Sequence, residues 1–178
     1  MPDPNGRSRA GGLLSFPNPV NEVASRVVAG GVVVLTLVAL GLQLPWMSAV
    51  LAYGFLARTA TGPTLSPLGQ LATRWAAPRL ARSPRLVPGP PKRFAQAIGA
   101  VLTVSATVCW FALHTVLATY LLLGALLAAA TLESAFGFCL GCWVFGRLMA
   151  RGVIPSTVCE ACTDITRRAA ATARAAEG

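Results

Sequence analysis

The sequence predicts an all-α integral membrane protein with about four transmembrane helices, a short interfacial helix and a cytoplasmic C-terminal helical segment. Three observations lead there. Apolar residues make up 54% of the 178-residue chain and charged residues 12%, too little charge to coat a soluble surface of this size. The charges gather at the two ends and in the middle, which leaves long uncharged runs between them. Those runs have the length of a bilayer crossing, about 20 residues at helical rise.

The organisation that follows is an N-terminal cytoplasmic segment over 1–22, a membrane bundle over 23–136 and a C-terminal segment with a basic tail over 137–178. The first residues carry arginines but no apolar stretch before Pro17 that would serve as a signal sequence, so the N-terminus is expected to be retained. Asn18 and Pro19 read as a helix start, with the asparagine capping and the proline at the first helical position. Span one follows over about 27–44 and ends at Pro45, with Trp46 placed as an interfacial aromatic. The second span, about 46–61, is short and must tilt or carry Arg58 into the membrane with its head reaching outward. After the breakers Gly62-Pro63 and Ser66-Pro67, the residues Leu68, Leu71 and Trp75 fall at helical spacing beside Arg74, Arg79 and Arg82, which suits an interfacial helix over about 66–82. A solvated loop helix is the plainer reading of that stretch. A proline-rich connector leads to span three, 94–113, and span four, 115–132. Only His114 lies between them; the turn is placed there because the apolar run 94–132 is about twice a crossing.

The net charge of +9 invites a nucleic-acid reading, but the arginines lie between apolar runs and no basic face interleaved with aromatics is present, so nucleic acid is not expected as a partner. The lipid bilayer is the expected partner, with anionic headgroups as counter-charge. Cations precede span one, separate spans two and three, and follow span four, whereas the stretches around Pro45 and His114 have no lysine or arginine. The positive-inside rule then gives four spans in the inner (plasma) membrane with both termini cytoplasmic. A fifth span over 135–150 is the competing topology and would move the basic tail outside.

The chemistry concentrates in residues 133–162. Four of the five cysteines form two C-x-x-C pairs there, Cys139 with Cys142 and Cys159 with Cys162, and Glu133 is the one acid between Glu22 and Glu160. Gly137 can end one helix and Cys139 open the next, so the helix N-terminus favours a Cys139 thiolate. Thr157 and Glu160 read as a capping box at the start of a helix that carries the second pair. Three readings compete: thiol-disulfide or sulfur transfer through Cys139, Cys142, Cys159 and Cys162; a structural zinc bound by the same four, whose C-x2-C-x16-C-x2-C spacing falls in the zinc range; and inert packing. Glu133 is a functional candidate if it lies at membrane depth, paired with Arg58 or Arg147 or exchanging a proton with Cys139, or else a carboxylate at a helix end. His114 reads as a turn residue, Cys109 as an apolar one, and Gly30-Gly31 as a close-packing pair. No haem, flavin, nucleotide or catalytic-triad signature is present, so no cofactor is expected outside the zinc alternative.

Three pieces in order carry a resemblance: FPNPVNE at 16–22, GPPKRFAQ at 89–96 and LESAFGFCLGCWVF at 132–145. Together they resemble the bacterial membrane family catalogued as domain of unknown function 4395, over about Phe16 to Cys162. That family has no established activity. The resemblance implies a multi-pass membrane fold, and because members are often encoded beside thioredoxin-like and sulfurtransferase proteins it implies a thioredoxin-like or rhodanese-like partner. The leading expectation is therefore a thiol-disulfide or sulfur-relay protein, with Cys139 attacking, Cys142 resolving, and Cys159 and Cys162 as a second relay. A non-enzymatic zinc-bound membrane scaffold is the alternative. A small transporter of a sulfur species is the third, although the spans lack the repeated polar residues of a transport path.

Overall fold

The computed structural model describes residues 20–76, 79, 86–155, 158–159 and 162. The expected capping box of Thr157 and Glu160, residues 80–82 of the interfacial helix, Arg7, Arg9, Arg82 and Arg85, and the basic tail after Cys162 lie outside the described residues. Within them the chain is mostly helical, as predicted, in the order α1 (Glu22–Gly41), α2 (Met47–Thr61), α3 (Pro67–Leu71) running into a π-helical turn (Ala72–Ala76), α4 (Gly89–Phe111), α5 (Val116–Phe136) and α6 (Leu140–Ala150). Three helices, α1, α4 and α5, are long and apolar enough to cross a membrane. The fifteen residues of α2 fall short of that length and would extend about 22 Å.

The helix starts differ from expectation for local reasons. The cap of α1 is Asn21, not Asn18: Asn21 is extended, and its side chain accepts the Val23 N–H at 3.0 Å. Val20 and Asn21 pair antiparallel with Val87 and Leu86, and this keeps the backbone extended up to Glu22. The two short strands, β1 (Val20–Asn21) and β2 (Leu86–Val87), are the one departure from an all-helical chain among the described residues. Helix α4 begins at Gly89, five residues before the expected Phe94, because Pro90 and Pro91 occupy first-turn positions where no N–H is needed. Lys92 and Arg93 therefore ride on the helix instead of in a connector. At the far end His114 turns the chain into α5 with a left-handed φ of 51°.

Helices α1, α5, α4 and α2 form a ring in which each contacts the next, and α6 lies against α4 on the outside. Val32, Ala39, Leu51, Phe55, Ala106, Leu123 and Leu126 fill the centre. Small residues set the spacing. A Cβ on Gly31 would lie 2.6 Å from the Leu68 side chain, so α3 rests on α1 at that glycine, whereas a Cβ on Gly30 would meet the Ser134 Cβ at 4.0 Å, an ordinary contact. The outward faces carry Leu37, Tyr53, Leu56, Val101, Leu117 and Leu121, all more than half exposed, which is the surface a lipid environment would cover. Thr36, Ser48, Thr103 and Thr119 are fully buried between the helices. The threonine hydroxyls bond carbonyls four residues back in their own segments, so these groups are satisfied, and Thr107 of α4 donates to Ser48 of α2 at 3.2 Å, a bond between helices.

One end of the ring gathers the polar residues. The β1–β2 pairing brings the starts of α1 and α4 side by side, and Arg26 of α1 donates to the carbonyls of Ser134 and Ala135 at the end of α5. Arg93 donates to the carbonyl of Thr59 near the end of α2.

Candidate functional site

Helix α5 ends in a way its sequence dictates. Gly137 is left-handed at φ 69°, its N–H bonds the Glu133 carbonyl, and the Phe138 N–H reaches back to the Leu132 carbonyl, both at 3.1 Å. This is the paired closure that a glycine permits after a helix. Arg26, donating to the last carbonyls, adds a cation where the helix dipole is negative. Three residues of chain then turn into α6, with Cys139 as its N-cap: extended at φ −87° and ψ 103°, its sulfur accepts the Cys142 N–H at 3.4 Å. The expectation that Gly137 breaks one helix and Cys139 opens the next holds.

The C-x-x-C spacing puts Cys142 on the same side of that first turn. Its Sγ lies 2.7 Å from Cys139 Sγ, about 0.7 Å beyond a disulfide bond and closer than two unbonded sulfurs normally approach. Both sulfurs are free and half-buried. The hydrogen bond from the Cys142 thiol holds the Cys139 thiol below its ordinary pKa; burial and the Glu133 carboxylate oppose this, while the Lys92 ammonium and the Cys142 backbone N–H reinforce it. Cys142 is pushed up strongly, first by giving its proton to Cys139 and then by burial. The arrangement favours a thiolate at Cys139 and a retained proton at Cys142.

Cys139 lines a cavity of about 90 Å³ whose polar wall is made by Ser25, Lys92, Gln96 and Glu133. Lys92 and Glu133 form an ion pair there at 2.6 Å, with side chains 10% and 21% exposed. The expected partners of Glu133 are therefore replaced. Arg58 lies inside the bundle, 4% exposed, instead of reaching outward, and Arg147 stacks over the Trp143 ring at 5.1 Å. The early start of α4 puts Lys92 on the helix, where it takes the place beside Glu133. A signal for Lys92 existed: it is the single lysine in a chain that otherwise uses arginine for every cation. The glycine inside the motif is structural. A Cβ on Gly141 would lie 2.5 Å from the Ala95 Cβ and 2.6 Å from its Cα, so α6 packs against α4 at that point and carries the dithiol to the cavity.

The second pair is a disulfide, Cys159 to Cys162, with Cys159 buried. Among the described residues no three of histidine, cysteine, aspartate or glutamate come together as a metal-binding group. Cys109 is a half-buried free thiol in α4, away from this group of residues in the chain and next to the His114 turn.

The sequence pattern of a family described as Domain of unknown function (DUF4395) matches residues 20–150. The match spans most of the chain, and the chain belongs to that family. Cys139, Cys142, Lys92 and Glu133 fall within the matched residues, and Cys159 and Cys162 lie beyond them. No curated protein and no solved structure matches the chain.

Proposed function

We propose that this protein is a four-span thiol-disulfide or sulfur-relay protein of the inner membrane, with both termini and the Cys139–Cys142 dithiol on the cytoplasmic side. The observation that supports the reading is the sulfur pair itself: Cys139 caps the N-terminus of a helix, with the Cys142 sulfur 2.7 Å away and an ammonium–carboxylate pair lining the same cavity. The orientation rests on charge. Arg26, Arg58, Lys92 and Arg93 lie at the dithiol end of the ring, and the loops over 42–46 and 112–115 at the other end contain no lysine or arginine. Helix α2 completes the four spans as a short one, with its arginine held inside the bundle by Gln96.

In the reaction the Cys139 thiolate attacks one sulfur of a partner's disulfide. That S–S bond breaks as a mixed disulfide forms, and the partner's other sulfur leaves as a thiolate. Cys142 then loses its proton and attacks Cys139, which closes the Cys139–Cys142 disulfide and leaves the partner as a dithiol. Two electrons pass from this protein to the partner. Lys92 holds charge that favours the attacking thiolate, and the Cys142 proton passes to the thiolate that the partner has released. The same attack on the outer sulfur of a persulfide moves sulfane sulfur to Cys139 and releases the donor as a thiolate. A thioredoxin-like or rhodanese-like protein is the fitting partner, and the Cys159–Cys162 disulfide is the second relay.

A trapping experiment checks the assignment. Reduced Cys142→Ser protein in detergent, mixed with an oxidised thioredoxin, is expected to accumulate a one-to-one adduct that dithiothreitol releases and that Cys139→Ser does not form. An adduct carried by another cysteine would overturn the Cys139 assignment, and zinc near one per chain with all four thiols protected until chelation would replace the relay by the structural-metal scaffold.

A further inference from the structure

Arg58 is the most deeply buried cation of the described residues, and its charge is only partly answered. Its Nε donates to the Gln96 side-chain oxygen at 3.0 Å, and its guanidinium carbon stands 4.5 Å over the Phe55 ring. No carboxylate among the described residues lies within ion-pair distance of it, and Glu133, whose charge acts on it, is already bonded to Lys92. No fully enclosed side-chain nitrogen or oxygen among the described residues lacks a hydrogen-bond partner, so the remaining guanidinium N–H groups and the Gln96 side-chain N–H2 are left to the space they border. A buried guanidinium in this condition is costly unless something answers it.

Arg58 and Gln96 line a second cavity, of about 180 Å³. Its other polar side chains are Asn21, Ser25 and Thr73, and no aspartate or glutamate is among its described lining residues. The Ser25 and Thr73 hydroxyl protons are given to the carbonyls of Glu22 and Gly69. Arg58 and Gln96 add N–H donors to this space, beside the Ser25 and Thr73 oxygens, which with their protons given away remain acceptors. The first turn of α1 also borders the space, with its positive dipole end. Donors, a fixed cation and no carboxylate exclude a metal ion and suit an anion.

We propose that Arg58 and Gln96 form a binding site for a tetrahedral oxyanion of the sulfate, thiosulfate or phosphate class. The planar guanidinium offers paired N–H groups that match two oxygens of such an ion, and Gln96 offers a third donor. The site adjoins the dithiol cavity, with which it shares Ser25, Val28 and Gln96. It stands on its own observations and does not depend on the thiol chemistry. The ion is supplied either free or as the phosphate of an anionic phospholipid.

The full-length protein in an uncharged detergent, titrated with sodium sulfate and sodium thiosulfate against sodium chloride at matched ionic strength, tests the free ion. Native mass spectrometry of the same preparation tests retained phospholipid. Binding above the chloride control is expected, weakened at least about tenfold in Arg58→Gln, where a charge-assisted fork is lost, and less in Gln96→Leu, which keeps the charge and the fold. Phospholipid retained by the native chain and lost from both variants would identify the headgroup as the source. Absence of both kinds of binding, or binding unchanged in both variants, overturns the proposal.

Discussion

Replacing Lys92 with methionine is expected to destabilise the protein by about 3 kcal/mol and to slow alkylation of Cys139 near neutral pH by about tenfold. The first effect arises because Glu133, 21% exposed, is left as an unpaired carboxylate in a largely apolar cavity. The second arises because Lys92 helps to hold the Cys139 thiol low while Glu133 pushes it up, so removing the lysine leaves the opposing charge alone. Glu133→Gln separates the two effects. It also breaks the ion pair and lowers stability, but it removes the charge that raises the Cys139 thiol, so alkylation is expected to speed up. Two single variants that lose stability together and move reactivity in opposite directions identify an electrostatic role. A purely structural pair would lower both. Thermal unfolding in detergent and timed alkylation with peptide mapping read the two quantities, and the double variant Lys92→Met, Glu133→Leu is expected to recover most of the stability.

Gly141→Ala is expected to be the most damaging single-methyl change in α6. The new Cβ would meet the Ala95 Cβ at 2.5 Å and the Ala95 Cα at 2.6 Å, and because the second of these is backbone α6 must move off α4. Overpacking of this kind costs about 1–3 kcal/mol. The functional consequence is larger than the stability one, since the shift carries Cys139 away from Lys92 and its selective reactivity falls with it. Gly146→Ala is the control: no atom lies within 4 Å of its added Cβ, and alanine is the better helix former. Ala95→Gly combined with Gly141→Ala is expected to restore only part of the loss, because the Ala95 Cα remains in the way. Equal melting behaviour of the two glycine variants would remove the packing argument.

Much of the bundle is legible in the sequence because hydrocarbon length and breakers are local signals. The ends of α5 and α6 are legible for the same reason: Gly137 and Cys139 act on their own neighbours. The start of α1 is not, because Asn21 wins over Asn18 and Pro19 through strand pairing with Leu86, 65 positions away. Glu133 is visible as an isolated acid, but its partner is set by where α4 begins. Reading Pro90-Pro91 as a connector instead of a first helical turn hides Lys92, and with it the ion pair. The inward turn of Arg58 is hidden too, since its partner Gln96 sits 38 residues on. The oxidation state of Cys159 and Cys162 is a property of bonding that spacing does not encode.

The central claim is that Cys139 is the nucleophile of a polarised dithiol, and the pH dependence of its alkylation tests it most directly. An ordinary thiol has a pKa near about 8.5 and loses thiolate as pH falls through that value. With its pKa held lower, Cys139 keeps thiolate further into the acid side, so in the reduced, detergent-purified protein it should react first and with a midpoint below that of a free cysteine. Cys142, pushed up, should remain unmodified across the same range. Reaction of Cys142 ahead of Cys139, or equal rates with an ordinary midpoint for both, would contradict the account.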